Sequence, residues 1–299
     1  MIIKLNYSSY GMCACEKDHI LYLSGRKNRE IDLSSKEIIN HFYAVASTNP
    51  SMSYSGKYIA LPNTYKGIEV INRIESNKSV YKYRAYQHND QMVCHCAWYK
   101  YKDYLVFSTR NKIFLLDIES QPKIEMLFCM DDYEAENIKE SLTCFGFIKS
   151  FDIVNDTIYV LCYRSHTSCY IAEIGLTDRK SQIKQHFTQA DCPDLIVFDK
   201  QCGYYLVKNY VSVTHYPFAG NIEKNYLLSD SCSTIAVSNN GMHIAMNQFL
   251  YKKEISIYDV KTWKLETIID VEKPVSSISF SDEDHYLLIS STKSLLVMC

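Results

Sequence analysis

The sequence predicts an all-β chain of four-stranded repeats, and three observations predict it. Apolar residues come in runs of four to eight with alternating character, separated by polar turns, as half-buried strands require. The runs recur in fours at a nearly constant spacing. Apolar stripes of helical period are almost absent, while the 25 Tyr sit in short runs with Val, Ile, Phe and Thr, residues that suit a pleated surface. With only 9 Gly and 6 Pro, the turns rest on Asn, Asp, Ser and Lys.

Taken in order, a lone strand, Ile2–Asn6, precedes the repeats. First strands then begin near Tyr10, Asn49, Met92, Phe147, Asp194, Cys232 and Pro274. Their mean spacing of about 44 residues matches the ~40–45 of a four-stranded propeller blade. The third repeat is the clearest: Met92–Tyr99, Asp103–Ser108, Asn111–Ile118 and Lys123–Cys129. The sixth reads Cys232–Ser238, Met242–Asn247, Glu254–Val260 and Lys264–Asp270. The seventh, Val275–Ser281, His285–Ser291 and Ser294–Cys299, lacks a fourth strand, which Ile2–Asn6 is expected to supply. The expectation is a seven-bladed β-propeller of four-stranded blades, one domain over residues 1–299, with the N-terminal strand closing the last blade so that no sheet edge is left open. Six or eight blades are the alternatives.

The repeats resemble those of the WD40 family. Ala85–Val93 is similar to the Gly-His entry of such a repeat, with His88 in the His place. Asn111–Ile118 resembles the strand that ends in Trp-Asp, with Leu116 replacing Trp, and Glu254–Val260 does so with Tyr258. Ser55–Ala60 and Asn240–Ala245 look like the Gly turn that opens a second strand. No full Trp-Asp pair exists, Trp98 and Trp263 lie elsewhere, and the fourth and fifth repeats match in periodicity only. The resemblance implies a propeller that acts as a scaffold. It also implies a buried hydrogen-bond chain from His88 to Ser108 or Asn111.

Composition excludes several function classes. Lys plus Arg number 32 against 34 Asp plus Glu, so no overall basic field favours nucleic acid. No apolar run approaches the ~20 residues of a membrane helix. The N-terminus turns polar after Leu5, too early for a signal-peptide core, so the 12 Cys are expected to stay reduced in the cytosol. None of them forms a C-x-x-C pair. In Cys94-His95-Cys96 the strand alternation sends the thiols to one face and the imidazole to the other, which points to packing, as for Cys13 and Cys15. No Gly-rich phosphate loop, metalloprotease motif or nucleophile elbow is present, nor the Phe-Arg-Arg-Gly of phosphoinositide-binding relatives. No catalytic, cofactor or metal residue is assigned.

What remains points to a surface. Asp131–Gly146 makes an unusually long connection, and Asp131, Asp132, Glu134, Glu136 and Glu140 charge it against Lys139 alone. Its opening residues suit a short helix. Such a connection shares one face with the turns between second and third strands. Those turns contribute Tyr65, Arg110, Arg164, His166, Phe249 and Tyr251, of types common at binding hot spots. The expected partner-binding set is therefore Tyr65, Arg110, Asp131, Asp132, Glu134, Arg164, His166, Phe249 and Tyr251, in a chain that is a monomer by itself. The reading is a non-catalytic scaffold or adaptor for a protein or peptide. The alternatives are a sensor holding a small molecule or peptide end at the channel mouth, and an enzyme whose residues converge from several blades.

Overall fold

The computed structural model describes residues 2–298 except 6–8, 26–27, 43–48, 76–77, 89, 91–92, 94, 120, 138–145, 165–167, 189–191, 202, 219–223, 229–231, 249–252 and 292–294. At 2–3, 42, 134–137, 188, 248 and 295–298 it describes the backbone alone. Its strands are grouped in seven antiparallel four-stranded sheets. In six of them the four strands follow one another along the chain and lie side by side in that order.

The sheets divide between two compact units. The central unit, Ala44–Cys192, holds three. They are β6 (Ser51–Met52), β7 (Tyr58–Asn63), β8 (Gly67–Asn72) and β9 (Lys78–Tyr83); β10 (His95–Trp98), β11 (Tyr104–Ser108), β12 (Lys112–Asp117) and β13 (Lys123–Cys129); and β14 (Phe147–Val154), β15 (Thr157–Arg164), β16 (Ser168–Gly175) and β17 (Ser181–Thr188). A helix, α1 (Met130–Asn137), follows β13.

The flanking unit, Met1–Tyr43 with Pro193–Cys299, holds four sheets. One is β2 (Gly11–Cys15), β3 (Ile20–Ser24), β4 (Asn28–Asp32) and β5 (Ile38–Phe42). The next two are β18 (Leu195–Asp199) to β21 (Lys224–Leu227), through β19 (Gly203–Lys208) and β20 (Ser212–Pro217), and β22 (Cys232–Val237) to β25 (Leu265–Asp270), through β23 (His243–Gln248) and β24 (Glu254–Asp259). The last joins β26 (Val275–Phe280), β27 (Tyr286–Ser291) and β28 (Leu295–Met298) to β1 (Ile2–Lys4), which pairs Ile2, Ile3 and Lys4 with Val297, Leu296 and Leu295.

The seven-bladed ring expected from the repeat is corrected accordingly. The structure gives three four-stranded sheets in one compact unit and four in another. The repeat is uneven for physical reasons. β6 keeps two residues, since Pro50 offers no N–H and Ser53 Oγ instead accepts the Tyr58 N–H at 3.0 Å. β14 to β17 reach eight residues each. Of the run expected from Met92, Met92 itself lies outside the described residues and β10 is described from His95.

Burial explains the composition of each strand. Second and third strands are the most buried, so residues 20–23 of β3 and the middle of β15 are continuously apolar. Fourth strands are mostly exposed, as in β13 and β25. In five sheets the register slips by one residue between third and fourth strands, at Glu30, Val70, Ile113, Ile171 and Ile257, which adds twist. In the central unit one apolar cluster (Ala60, Val70, Leu105, Phe107) joins the first two sheets, and another (Val106, Leu115, Val160, Ala172) joins the second to the third.

Candidate functional site

In such a meander the turns between second and third strands share one end of the sheet with the connection to the next sheet. In the central unit this connection end carries the residues singled out above. Asn63 Oδ1 accepts the N–H groups of Tyr65 (3.1 Å) and Lys66 (3.0 Å), and Gly67 at φ +124° completes the β7–β8 turn. A Cβ at Gly67 would overlap the Tyr83 carbonyl, so no other residue fits there. Chain geometry thus pushes Tyr65 outward, 85% exposed.

Between β9 and β10 a 3₁₀ turn, Ala85–His88, exposes Tyr86 to 62%, and Arg84 Nη1 donates to its hydroxyl oxygen at 3.2 Å. Beneath it lies a buried carboxylate, Asp90, with its side chain 2% exposed. Asp90 accepts from the Tyr83 hydroxyl and from Lys112 Nζ at 2.6 Å. Burial, then the Asp90 hydrogen bond, pushes the Tyr83 phenol far up, and the Asp90 bond raises Lys112. These are the partners a buried charge needs. The hydrogen-bond chain implied for His88 is replaced here: its ring stacks on Tyr83 at 4.7 Å, and Lys112 serves the carboxylate. Ser108 Oγ and Thr109 Oγ1 are buried without a hydrogen-bond partner among the described residues, and Asn111 is committed to Asp131.

The next connection is tied to the β11–β12 turn on both sides. Arg110 O accepts the Ile148 N–H at 2.6 Å, Asn111 O accepts the Met130 N–H at 2.8 Å, and Asn111 Nδ2 donates to Asp131 Oδ2 at 2.6 Å. Helix α1 begins at Met130, one residue before the expected acidic segment. Met130 is buried, and Tyr133 packs on Phe128 (5.4 Å) and Tyr170 (6.5 Å). Asp131 and Asp132 are exposed in the first turn, where carboxylates suit the positive end of the helix dipole.

Tyr65, Arg110, Asp131 and Asp132 therefore share this end. Glu134 lies in α1, and Arg164 closes β15, half-buried and paired in register with Ser168. His166, Phe249 and Tyr251 lie outside the described residues. Sequence reasoning missed Tyr86, whose only signal is its place two residues before His88. It also missed Tyr210 in the flanking unit, where Asn209 and Tyr210 both take positive φ and expose Tyr210 and Val211. Tyr210 O accepts the Cys232 N–H at 2.5 Å, repeating the role of Arg110 O.

Cys94 is outside the described residues. His95 meets the next sheet through Lys149 O (2.7 Å) and the edge of Phe151 (6.5 Å), and desolvation by these surroundings holds its imidazole below the usual range, although the residue is exposed. Cys96 packs on the other face, its thiol pushed up to about 12 by burial.

No family model and no curated protein matches the chain. Solved structures do. The β-propeller domain of Myceliophteria thermophila Cps50 (Swd1) aligns over 100% of both chains at TM-score 0.76 and 12% identity. The WD40 repeats of RRP9 align over 99% of this chain and 97% of theirs, at 0.75 and 11%. Kuenenia stuttgartiensis hydrazine synthase aligns over 99% and 96%, at 0.72 and 9%. At these identities the likeness is one of fold, and the fold is that of the WD40 β-propellers. Among the described residues no helix is long and apolar enough to cross a membrane.

Proposed function

We propose that this chain is a non-catalytic scaffold or adaptor of the cytosol, a monomer by itself, which presents the connection end of its central unit to a protein or peptide. The observation that carries the reading is Tyr65, held almost fully in solvent by an Asn63 turn and a glycine that no other residue could replace. A rigid, exposed aromatic with a polar tip is the side chain most useful to a partner. Arg110 stands beside it in the sheet order, and Asp131 and Asp132 supply charge that guides approach. Glu134, Arg164, His166, Phe249 and Tyr251 complete the proposed set. The eight described free cysteines, four of them buried, fit a reducing compartment.

The test is quantitative affinity capture from the native host, followed by titration of the captured partner. Tyr65→Ala should weaken binding by about 2 kcal/mol with little change in stability. Asp131→Lys with Asp132→Lys should mainly slow association and change its salt dependence. Lys57→Ala with Lys102→Ala, at the opposite end of the sheets, is the control. A partner that tolerates the first two variants and is lost with the third would overturn the proposal.

A further inference from the structure

At the opposite end of the flanking unit, the turn between β2 and β3 and the turn between β26 and β27 share one buried carboxylate. Glu16, its side chain 6% exposed, accepts at Oε1 from the Ser281 hydroxyl and from the His285 N–H at 3.2 Å. Its Oε2 lies 2.5 Å from His285 Nδ1. The Glu16 N–H in turn donates to Asp282 Oδ1 at 3.1 Å. Among the described residues the charged groups that act on the imidazole are anionic. Glu16 faces it from the β2–β3 turn, with Glu283 (3.9 Å) and Asp284 from its own turn and Asp282 behind Glu16. Asp284 is held by the N–H groups of Asn239 (2.7 Å) and Asn240 (2.8 Å), from the turn of the neighbouring sheet.

Elsewhere the two sheets meet through an apolar layer that includes Met12, Leu21, Leu23 and Leu288, and Ser9 N–H donates to Ser291 O at 3.1 Å. The Glu16–His285 pair is thus the charged fastening of this junction. A buried carboxylate is tolerated while a cation faces it and becomes costly when that cation is lost.

We propose that Glu16 and His285 form a proton-operated clasp between the β2–β5 sheet and the sheet that pairs β1 with β28, closed when His285 carries its proton and released when it gives it up. The direction follows from linkage. The Glu16 hydrogen bond, then its charge, raises the His285 imidazole above its ordinary value. Its contribution is therefore complete below about pH 6.5 and fades as pH rises through the raised value. That window falls within the range in which cells change pH.

Thermal unfolding of the full chain from about pH 6 to about pH 8.5 tests this, together with NMR titration of the His285 ring. The wild type should lose several degrees of Tm over that range, and the ring should titrate above the ordinary imidazole value. His285→Gln should show the low, alkaline Tm throughout, with no further slope. Glu16→Gln should also flatten the slope; if it does not fold, His285→Gln decides alone, since that ring is largely exposed. His243→Gln, which removes the His243–Glu266 pair of the same unit, should keep the slope. A wild-type slope retained in His285→Gln, or a ring that titrates at its ordinary value, would overturn the clasp.

Discussion

The two units solve one problem with different chemistry. In both, the turn between first and second strands of one sheet must be fastened to the corresponding turn of the next. The flanking unit uses amides and carboxylates. Gln201 Nε2 donates to Asn239 O at 2.7 Å, Asn239 donates to Asp284 and to Ser281 O, and Glu16 closes on His285. The central unit uses aromatic rings and hydroxyls. Trp98 stacks on Tyr58 at 6.0 Å and donates to Ser51 O at 2.9 Å, Ser55 Oγ donates to Asp103 at 2.9 Å, and the Tyr99 hydroxyl binds Asp156. Lysines cover the outer rings, Lys57 over Tyr58 and Lys100 over Tyr54. A mesh whose cation is an imidazole responds to pH near neutrality, whereas one built of indole and phenol does not. The difference teaches that the propeller repeat dictates where turns meet and leaves open how they are joined.

The largest blow to the aromatic mesh should come from Trp98→Ala, which removes the Tyr58 stack and the bond to Ser51 O together. A loss of about 3 kcal/mol is expected, equal at acid and alkaline pH, in urea unfolding followed by circular dichroism. A pH-dependent loss would mean that the two meshes are not chemically distinct. Asn239→Ala should cost about 2 kcal/mol, because it removes the side-chain amide that donates to both Asp284 and Ser281 O and leaves the Ser281 carbonyl without that donor. If that variant were neutral, the polar mesh would be ornamental. The smallest effect sharpens the contrast through His95, the imidazole that the central unit holds against Lys149 O and Phe151. Its value is lowered, so its contribution is present above about pH 6.5 and lost as pH falls below it, opposite in sign to that of His285. His95→Gln should therefore blunt the acid limb of the stability profile while leaving the alkaline limb intact. An acid limb unchanged from wild type would remove His95 from that account.

How much of this is legible in sequence depends on range. Strand alternation and the polar turns are local, so runs such as Lys123–Cys129 and the pairing role of Ile2 can be read directly, as can a helix opening near Asp131. The division into two units is not legible, because a period says how often strands recur and nothing about which sheets pack most closely. Of the proposed surface, Tyr65 is readable from its turn, Tyr86 is not, and the ties of Asn111 to Asp131 need three dimensions. Glu16 and His285 lie in separate, unremarkable turns, and only the fold brings them together. The buried use of Asp90 was hidden for the same reason: its partners, Tyr83 and Lys112, sit on different strands.

The pairing of β1 with β28 has a kinetic consequence. These two short strands come from opposite ends of the described sequence, so their ladder closes the longest loop among the described strands. Local hairpins such as β15–β16 can form from neighbouring residues, and sheets assembled from them need no distant partner. The entropy of so long a closure is recovered only after the intervening sheets are in place. β1 is accordingly expected to dock last during folding and to leave early during unfolding. Mutations in its backbone pairing with Leu295–Val297 would speed unfolding and leave the folding rate nearly unchanged, the signature of contacts absent from the transition state.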